Sequence, residues 1–323
     1  MSDWAPDILG AGFAQRTLPL GEDAEGPIVA TIVRHQPRRH FWPLPLHDVD
    51  VLYVHGWSDY FFNRRFAKLW TDRGARFYAL DLRKYGRSLR DGQTPGFITD
   101  LTEYDADIAA ALEAMDAGGT RRLVLVGHSM GGLILSLWAH RHPRAADAVV
   151  LNSPWLEFQL TGATRAAISP MLELHSRLRP HDAWPQADLG FYARAQAEAA
   201  DPADPIEAVA EWRPARTMTV HVGWMHAIVA GHAQIAAGLS IDEPICVLLS
   251  AHTAIPTRWS DALTRADTVL VVDDIAKASL KLGSSVTVER IDGALHDVFL
   301  SRHDAREAAY ARLGRWVDAM IAR

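Results

Sequence analysis

The sequence contains one cysteine, Cys246, among its 323 residues, so a disulfide within the chain is excluded. This composition is typical of proteins in a reducing compartment, and we expect a cytoplasmic protein. The first ten residues, MSDWAPDILG, lack the basic and apolar regions of a secretory signal peptide, and none is expected. Apolar runs are too short or are interrupted by Gly, His or Ser, so no membrane span is predicted.

A surplus of basic residues is also missing. The chain has 33 Lys and Arg residues against 39 Asp and Glu residues, which gives a formal net charge of -6. Binding to the phosphates of a nucleic acid depends on excess positive charge. Nucleic acid is therefore not expected as a partner of this protein.

The sequence lacks the short motifs of several cofactor sites as well. Neither a phosphate-binding loop, nor an H-E-x-x-H zinc motif, nor a dinucleotide fingerprint occurs. His221, His226 and His232 lie close together in the sequence, but no acidic ligand pattern or H-x-x-x-H spacing accompanies them. We predict no cofactor and no metal ion.

The sequence does contain a regular alternation of strand and helix patterns. Short apolar segments such as VDVLYVHG, RRLVLVGHS and PICVLLSAH are typical of buried strands, and amphipathic or apolar helical patterns follow them. This alternation predicts an α/β fold with a mostly parallel central sheet and helices on both faces.

The alternation stops between about Leu156 and Glu243. This part is rich in Ala, His, Arg and Pro and contains helical patterns such as LGFYARAQAEAA. It is much longer than an ordinary connection between two elements. We therefore predict a core domain formed by residues 1–155 and 244–323, with a helical insertion formed by residues 156–243.

The segment LVLVGHSMGG contains a serine, Ser129, in a G-x-S-x-G pattern with Gly127 and Gly131. A predicted strand precedes the pattern and a predicted helix follows it. A serine at such a sharp turn needs small neighbours, and it lies where the free N–H groups of the helix favour negative charge. The pattern predicts that Ser129 is a catalytic nucleophile.

A serine hydroxyl needs a base and a carboxylate that orients the base. His296 follows the last predicted strand, where a loop can reach the serine, and we predict that it is the base. Four aspartates precede it in the required order. We favour Asp267 as the acid, with Asp261 second, because Asp273 and Asp274 are placed to cap the helix that follows.

An oxyanion site needs backbone N–H groups directed at the developing charge. Met130 follows the predicted nucleophile and is expected to supply one donor. Trp57, in VHGWSDYFF at the end of the predicted strand VDVLYVHG, is expected to supply the other. Gly56 permits the close approach of this loop, and His55 is expected to orient it.

These segments resemble the α/β-hydrolase superfamily, and within it the group of lysophospholipases, monoacylglycerol lipases and S33 serine aminopeptidases. The matching segments are VLYVHGWSDY, ALDLRKYGRS, LVGHSMGG, ADTVL and GALHDV, in the order of the family. The resemblance implies an α/β-hydrolase fold and a helical cap over the active site, which agrees with the insertion.

Two features depart from the family pattern. The segment before Asp267, SAHTAIPTRWSDALTRAD, is longer than the compact turn usual in the family. Lys84 replaces a glycine of the motif D-x-R-G-x-G-x-S. Lys84 belongs to a basic cluster with Arg83, Arg87 and Arg90, and we expect this cluster to form a solvated loop. Binding of an anionic substrate is the lesser alternative for this cluster.

The resemblance implies a serine hydrolase of the carboxylesterase or lysophospholipase type, EC 3.1.1, which cleaves a lipid-like monoester or a small aryl or alkyl ester. Aromatic residues in and near the insertion are candidates for an apolar substrate pocket. They are Trp57, Tyr60, Trp155, Phe158 and Trp224.

Two alternatives stay open. An S33-type aminopeptidase would need acidic residues to hold the substrate amine, and Glu157, Glu173 and Glu198 are scattered in the sequence. A non-catalytic protein that binds a small ligand on the same fold is the other alternative. The expected partner is a small-molecule ester, and the oligomeric state is left open, a homo-oligomer included.

Overall fold

The computed structural model describes residues 4–37, 42–116, 119–158, 162–186, 188–202, 204–255 and 257–322. Within these residues, nine strands form one mixed sheet in the order β1-β2-β3-β5-β4-β6-β7-β8-β9. The strands are β1 Ala5–Pro6, β2 Phe13–Asp23, β3 Gly26–His35, β4 Val49–Val54, β5 Arg76–Asp81, β6 Arg122–His128, β7 Ala148–Asn152, β8 Ile245–Ser250 and β9 Val286–Ile291.

The first strands are antiparallel, and the rest of the sheet is parallel. β3 pairs antiparallel with β5, whereas β5, β4, β6, β7, β8 and β9 run in one direction. The carboxyl ends of parallel strands meet at one edge of a sheet, which is where ligands bind in open α/β sheets. This edge carries the turns and loops that hold the candidate site.

Helices cover both faces of the sheet, as predicted. Along β4, Leu52 packs in one apolar core and Val51 in the other, because successive side chains of a strand point to opposite faces. α1 and α8 pack on one side, and α2, α3, α6 and α7 on the other. The helices are α1 Arg64–Thr71, α2 Tyr104–Ala114, α3 Met130–Arg141, α4 Gly162–Leu178, α5 Phe191–Ala199, α6 Val222–Ala237, α7 Val272–Ser279 and α8 His303–Met320.

The long insertion is helical. Three helices, α4, α5 and α6, lie between β7 and β8. α6 is apolar around most of its circumference, and it packs against both α4 and the core helix α3. A helix that is apolar all round needs burial on all sides, which explains its place between the rest of the insertion and the core. Among the described residues, no helix combines the length and apolar character needed to cross a bilayer.

The expectation of a solvated basic loop after β5 is wrong for most of that cluster. Arg83, Lys84 and Arg87 are buried, and only Arg90 is exposed. Each buried cation lies against one or two carboxylates, which offset the desolvation that burial imposes. The pairs are Arg83 with Asp107, Lys84 with Asp23 and Glu25, and Arg87 with Asp7 and Asp81.

Lys84 has a left-handed backbone with φ of 62°, which explains why the resembling family has glycine at this position. Its ammonium group lies 2.6 Å from a carboxylate oxygen of Asp23 and 2.6 Å from one of Glu25. Asp23 ends β2, and Glu25 lies in the turn that leads to β3. Lys84 therefore fixes the β2–β3 hairpin to the loop that follows β5.

Candidate active site

Ser129 lies at the turn between β6 and α3 with φ of 51° and ψ of -114°, a strained conformation for a residue other than glycine. The surrounding glycines leave no space for side chains. A Cβ atom on Gly127 would lie 2.6 Å from the carbonyl oxygen of Gly131. The turn therefore has the geometry expected from the G-x-S-x-G pattern, at the carboxyl edge of the sheet.

Ser129, His296 and Asp267 form one hydrogen-bonded chain. His296 Nδ1 lies 2.9 Å from a carboxylate oxygen of Asp267, and His296 Nε2 lies 3.0 Å from Ser129 Oγ. A carboxylate only accepts, so Nδ1 carries the proton and Nε2 is left to accept from the serine hydroxyl. All three residues are buried.

The long segment before Asp267 leaves the end of β8 and returns to it. Thr253 and Asp267 form a parallel bridge, and the Asp267 N–H donates to the carbonyl of His252 at 2.9 Å. The other carboxylate oxygen of Asp267 accepts from the N–H groups of Val269 and Leu270. These contacts fix the carboxylate beside β8 in spite of the long excursion.

The other candidate acids have different surroundings. Asp261 is exposed in a short 3-10 turn, Asp261–Arg265. Asp273 lies in the first turn of α7 and pairs with Arg290 at 2.6 Å, and Asp274 lies in the same turn. Both acids therefore lie near the helix N-terminus, as expected, but the N-cap residue itself is Val271.

Asn152, at the end of β7, contacts both the serine turn and the loop after His296, and sequence reasoning missed it. Its backbone carbonyl accepts from the Ser129 N–H at 3.0 Å. Its side-chain amide donates to Asp297 at 2.7 Å and accepts from the Val298 N–H at 3.2 Å. The only signal in the sequence was a polar residue at the end of an apolar strand.

The loop after β4 approaches Ser129 closely. A Cβ atom on Gly56 would lie 3.1 Å from the Ser129 Cβ atom. His55 Nε2 accepts from the Leu82 N–H at 3.1 Å, so its Nδ1–H donates to the Gly56 carbonyl at 2.7 Å. These two bonds fix the direction of the peptide that precedes Trp57.

The backbone N–H groups of Trp57 and Met130 are the predicted oxyanion donors. Within the described part of the chain, neither of them donates a hydrogen bond. Backbone donors away from water are nearly always paired. Met130 is buried and Trp57 is partly buried, so two unpaired donors on the segments that flank a serine are a feature to explain. They are available to a negatively charged oxygen atom.

Most of the predicted pocket aromatics lie together. The ring centroids of Trp57 and Trp224 are 4.0 Å apart, and those of Trp155 and Trp224 are 5.8 Å apart. The centroids of Trp155 and Phe158 are 5.9 Å apart. Tyr60, also predicted to line the pocket, lies outside this aromatic cluster. Its ring contacts Phe62, Trp212 and the guanidinium of Arg87.

His128, the neighbour of Ser129, has a packing position. Its Nδ1–H donates to the carbonyl of Asn152 at 3.1 Å, and its ring lies 5.1 Å from that of His296. Burial lowers the pKa of His128, so its imidazole is neutral at pH 7. A neutral ring there adds no positive charge beside His296.

The three histidines of the insertion do not converge. His221 Nδ1 bonds to the carbonyl of His181 at 2.7 Å, and His232 Nε2 bonds to the carbonyl of Trp155 at 2.8 Å. Across the ranges that the structure describes, no cluster of His, Cys, Asp or Glu side chains is suited to holding a metal ion.

The sheet, the serine turn at its carboxyl edge and the helical insertion after β7 define an α/β-hydrolase. A family model described as serine aminopeptidase, S33, matches residues 47–302. The chain belongs to this family, since the match covers most of its length. The resemblance inferred from the sequence is thereby confirmed.

Curated relatives match shorter parts of the chain. Lysophospholipase L2 of Escherichia coli (strain K12) is 31% identical over 105 residues, which are 31% of this chain and 31% of that protein. The Sus scrofa 1-acylglycerol-3-phosphate O-acyltransferase ABHD5 is 31% identical over 91 residues, which are 28% of this chain and 24% of that protein. The matched part thus spans about a quarter to a third of these relatives.

Solved structures match the whole fold. A monoglyceride lipase variant from Saccharomyces cerevisiae, in complex with a substrate analogue, has a TM-score of 0.65 at 14% identity, over 95% of this chain and 96% of that one. A monoacylglycerol lipase from Paleococcus ferrophilus has a TM-score of 0.63 at 17% identity, over 90% of this chain and 98% of that one. At these identities the likeness shows the fold alone.

Proposed function

We propose that this protein is a serine hydrolase that cleaves a carboxylic ester through an acyl-enzyme on Ser129. One observation carries the proposal. His296 is hydrogen-bonded to Ser129 on one side and to Asp267 on the other, at 3.0 Å and 2.9 Å. A serine bonded to a base that is itself oriented by a carboxylate is the arrangement that activates a hydroxyl for attack.

The reaction follows from this geometry. His296 Nε2 takes the proton of Ser129 as the oxygen attacks the acyl carbon, and Asp267 stabilises the imidazolium that forms. His296 then gives the proton to the leaving alcohol. A water molecule, deprotonated by His296 in turn, releases the acid from Ser129.

The unpaired N–H groups of Trp57 and Met130 support a role as oxyanion donors. The carbonyl oxygen of the substrate becomes negative when the tetrahedral intermediate forms. Donors that are already in place and have no other partner stabilise this charge without reorganisation. The Met130 N–H also lies at the N-terminus of α3, where the helix dipole favours negative charge.

We assign residues 1–155 and 244–323 to the core domain, and residues 156–243 to a cap that covers the site. The three helices between β7 and β8 support this division. The cap brings Trp224 against Trp57, and Trp57 follows directly on the loop that approaches Ser129. The cap is therefore suited to shield the acyl-enzyme from bulk water.

An apolar acyl or aryl group is the substrate part that the aromatic cluster fits best. Trp57, Trp155 and Phe158 are partly exposed near the predicted oxyanion loop, and Trp224 is buried against Trp57 and Trp155. A lipid-like monoester or a small aryl or alkyl ester has the matching chemistry. The lysophospholipase relative and the monoglyceride lipase structures are in line with this choice.

Aminopeptidase activity is the second candidate, favoured by the description of the family. It needs free carboxylates in the cap to bind a substrate amine. Glu173 pairs with Arg177 and Glu198 pairs with Arg194, and both pairs are exposed on helix surfaces. These two acids are engaged outside the site, so we place the ester first.

A fluorophosphonate probe tests the nucleophile. We expect one adduct on Ser129, located by mass spectrometry, and none in Ser129→Ala. A panel of p-nitrophenyl esters beside aminoacyl-p-nitroanilides then tests the substrate class. Turnover of the anilides alone would favour the aminopeptidase, and folded protein without adduct or turnover would favour a non-catalytic binding protein.

A further inference from the structure

The loop that carries Trp57 is bonded to the cap through three successive side chains. Ser58 Oγ accepts from the Met218 N–H at 3.1 Å, and the Tyr60 hydroxyl accepts from the Val209 N–H at 2.7 Å. Between them, Asp59 binds the side chain of a cap arginine, Arg213. The cap segment 209–218 thus lies along the predicted oxyanion loop.

Arg213 continues this contact towards the other side of the site. Its Nε donates to Asp59 at 2.8 Å, and a terminal nitrogen donates to the Gln196 side chain at 2.8 Å. The amide nitrogen of Gln196 donates to the Tyr192 hydroxyl at 2.7 Å. We call Arg213, Gln196 and Tyr192 the cap bridge.

The far end of the cap bridge lies at the predicted base. The Tyr192 hydroxyl accepts from the Asp297 N–H at 3.2 Å. The Tyr192 ring also meets the His296 ring edge to face, with centroids 5.7 Å apart and planes at 76°. The cap bridge therefore connects the oxyanion loop with the loop of His296, two segments that are more than 200 residues apart in sequence.

The ion pair at the near end is shielded from water. The side chain of Asp59 is 6% exposed and that of Arg213 is 20% exposed. Screening is weak in such a place, and an unpaired charge there is costly. A planar guanidinium can bind Asp59 and Gln196 at once, with fixed directions, which an ammonium group cannot do equally well.

We propose that the cap bridge positions the oxyanion loop and His296 relative to Ser129, so that the cap takes part in the geometry of the reaction. This inference rests on the proposed serine hydrolase function. Arg213 and Tyr192 are positioning residues, since they act through Asp59 and through the His296 loop. A cap that only covers the site would affect substrate binding and leave the chemical step unchanged.

The test separates these two roles in the full-length protein. Arg213→Met removes the donors of the cap bridge, and Tyr192→Phe removes the hydroxyl but keeps the ring. Arg177→Met is the matched control, because Arg177 is also a cap arginine with a carboxylate partner, but 72% exposed. The readouts are kcat and KM for p-nitrophenyl acetate, and the saturating rate of Ser129 phosphonylation.

We expect kcat and the phosphonylation rate of Arg213→Met to fall about 10- to 100-fold, with KM changed less. In Tyr192→Phe the same two rates are expected to fall about 5-fold. The rates of the double variant are expected to fall by less than the product of the two single effects, because both substitutions interrupt the same chain of hydrogen bonds. Arg213→Lys is expected to recover part of the rate. Arg177→Met keeps the wild-type values.

Other outcomes overturn the inference. If Arg213→Met raises KM but keeps kcat and the phosphonylation rate, the cap only binds substrate. If Arg213→Met does not fold, Tyr192→Phe decides alone, and wild-type rates in this variant would refute the positioning role. If wild-type protein neither hydrolyses esters nor reacts at Ser129, the proposed function itself fails, which is a distinct result.

Discussion

The turn of Ser129 and the cap segment beside it are fixed by different chemical groups. At the turn, the Ser129 N–H donates to the carbonyl of Asn152, and the Ser129 carbonyl accepts from the Trp155 N–H at 2.9 Å. These bonds join backbone to backbone. On the cap side, the side chains of Tyr60 and of Arg213 make the contacts.

Because of this difference, we expect substitutions in the two regions to affect stability and activity in different proportions. A change at the serine turn disturbs the backbone of the sheet edge, so stability and activity are lost together. A change in an uncharged cap contact removes side-chain atoms and leaves the core backbone intact, so activity can be altered at small cost in stability. Arg213→Met differs, because it also leaves the buried Asp59 carboxylate unpaired. Four substitutions test this contrast, beginning with the largest expected effect.

Gly127→Ala is expected to destabilise the protein by about 3 kcal/mol or more, because the new Cβ would lie 2.6 to 2.7 Å from the backbone of Gly131 and Gly132. Neither backbone can move without shifting α3. Gly119→Ala is the control, since no atom lies within 4 Å of its Cβ position. Urea unfolding measures both, and a nearly neutral Gly127→Ala would disprove the steric basis of the turn.

Asn152→Asp places a second carboxylate against Asp297, and we expect it to cost about 3 kcal/mol at pH 8. Like charges raise the pKa of one of the two acids in the folded state. The proton-bound form is then favoured in the folded protein, so the stability of this variant is regained as the pH falls and lost as it rises.

The matched variant for this site is Asn152→Ala, which removes the same donor without adding charge. Its loss of stability is expected to depend much less on pH. Thermal unfolding from pH 5 to pH 8 distinguishes the two variants. Parallel curves for Asn152→Asp and Asn152→Ala would show that charge repulsion at Asp297 is absent.

Lys84→Met removes the buried ammonium from Asp23 and Glu25. Burial alone would raise the pKa of each acid. The hydrogen bond and the charge of Lys84, together with hydrogen bonds from the Glu25 N–H to Asp23 and from Thr94 to Glu25, outweigh burial and lower both pKa values from the ordinary 3.8 and 4.5. Because the folded-state pKa values of both acids are lowered, their pairing with Lys84 stabilises the fold fully when the pH is above the ordinary pKa values. This contribution is lost as the pH falls through the folded-state pKa values.

The substitution is expected to cost about 2 kcal/mol at pH 7, less than for a fully buried pair because Asp23 is 34% exposed. This loss of unfolding free energy becomes smaller below about pH 4, where the two acids become protonated. Arg90→Met, at the exposed member of the same basic cluster, is expected to change stability by less than about 0.5 kcal/mol. Equal effects of the two variants in urea unfolding would contradict the buried pairing.

The same contrast explains what could be predicted from the sequence. The strands, the serine turn and the helical insertion follow from local patterns: β-branched runs, the G-x-S-x-G spacing and a break in the alternation. The predicted base and acid also meet, although the sequence could only rank the acids. What brings Asp267 to the end of β8 is the bridge with Thr253, a contact across a long excursion.

Side-chain pairing across the chain is what the sequence could not reveal. The burial of Lys84 and Arg87 depends on acids in the N-terminal segment and in β5, and charge alone suggested exposure. Arg213 and Tyr192 carry no motif, and their importance depends on the distances to Asp59 and Asp297. Such contacts are set by tertiary packing, since no spacing in the chain encodes them.

Tyr60→Phe is the smallest change and the sharpest test of the contrast. It removes the hydroxyl that accepts from the Val209 N–H but keeps the ring contacts with Phe62 and Trp212. We expect a loss of about 1 kcal/mol in urea unfolding, the usual net contribution of one hydrogen bond. The rate of protease cleavage in the cap should rise, because a cap contact is lost while the core is untouched. A loss of 3 kcal/mol or more would mean that the cap and core unfold as one unit, and the proposed separation of folding from catalysis would not hold.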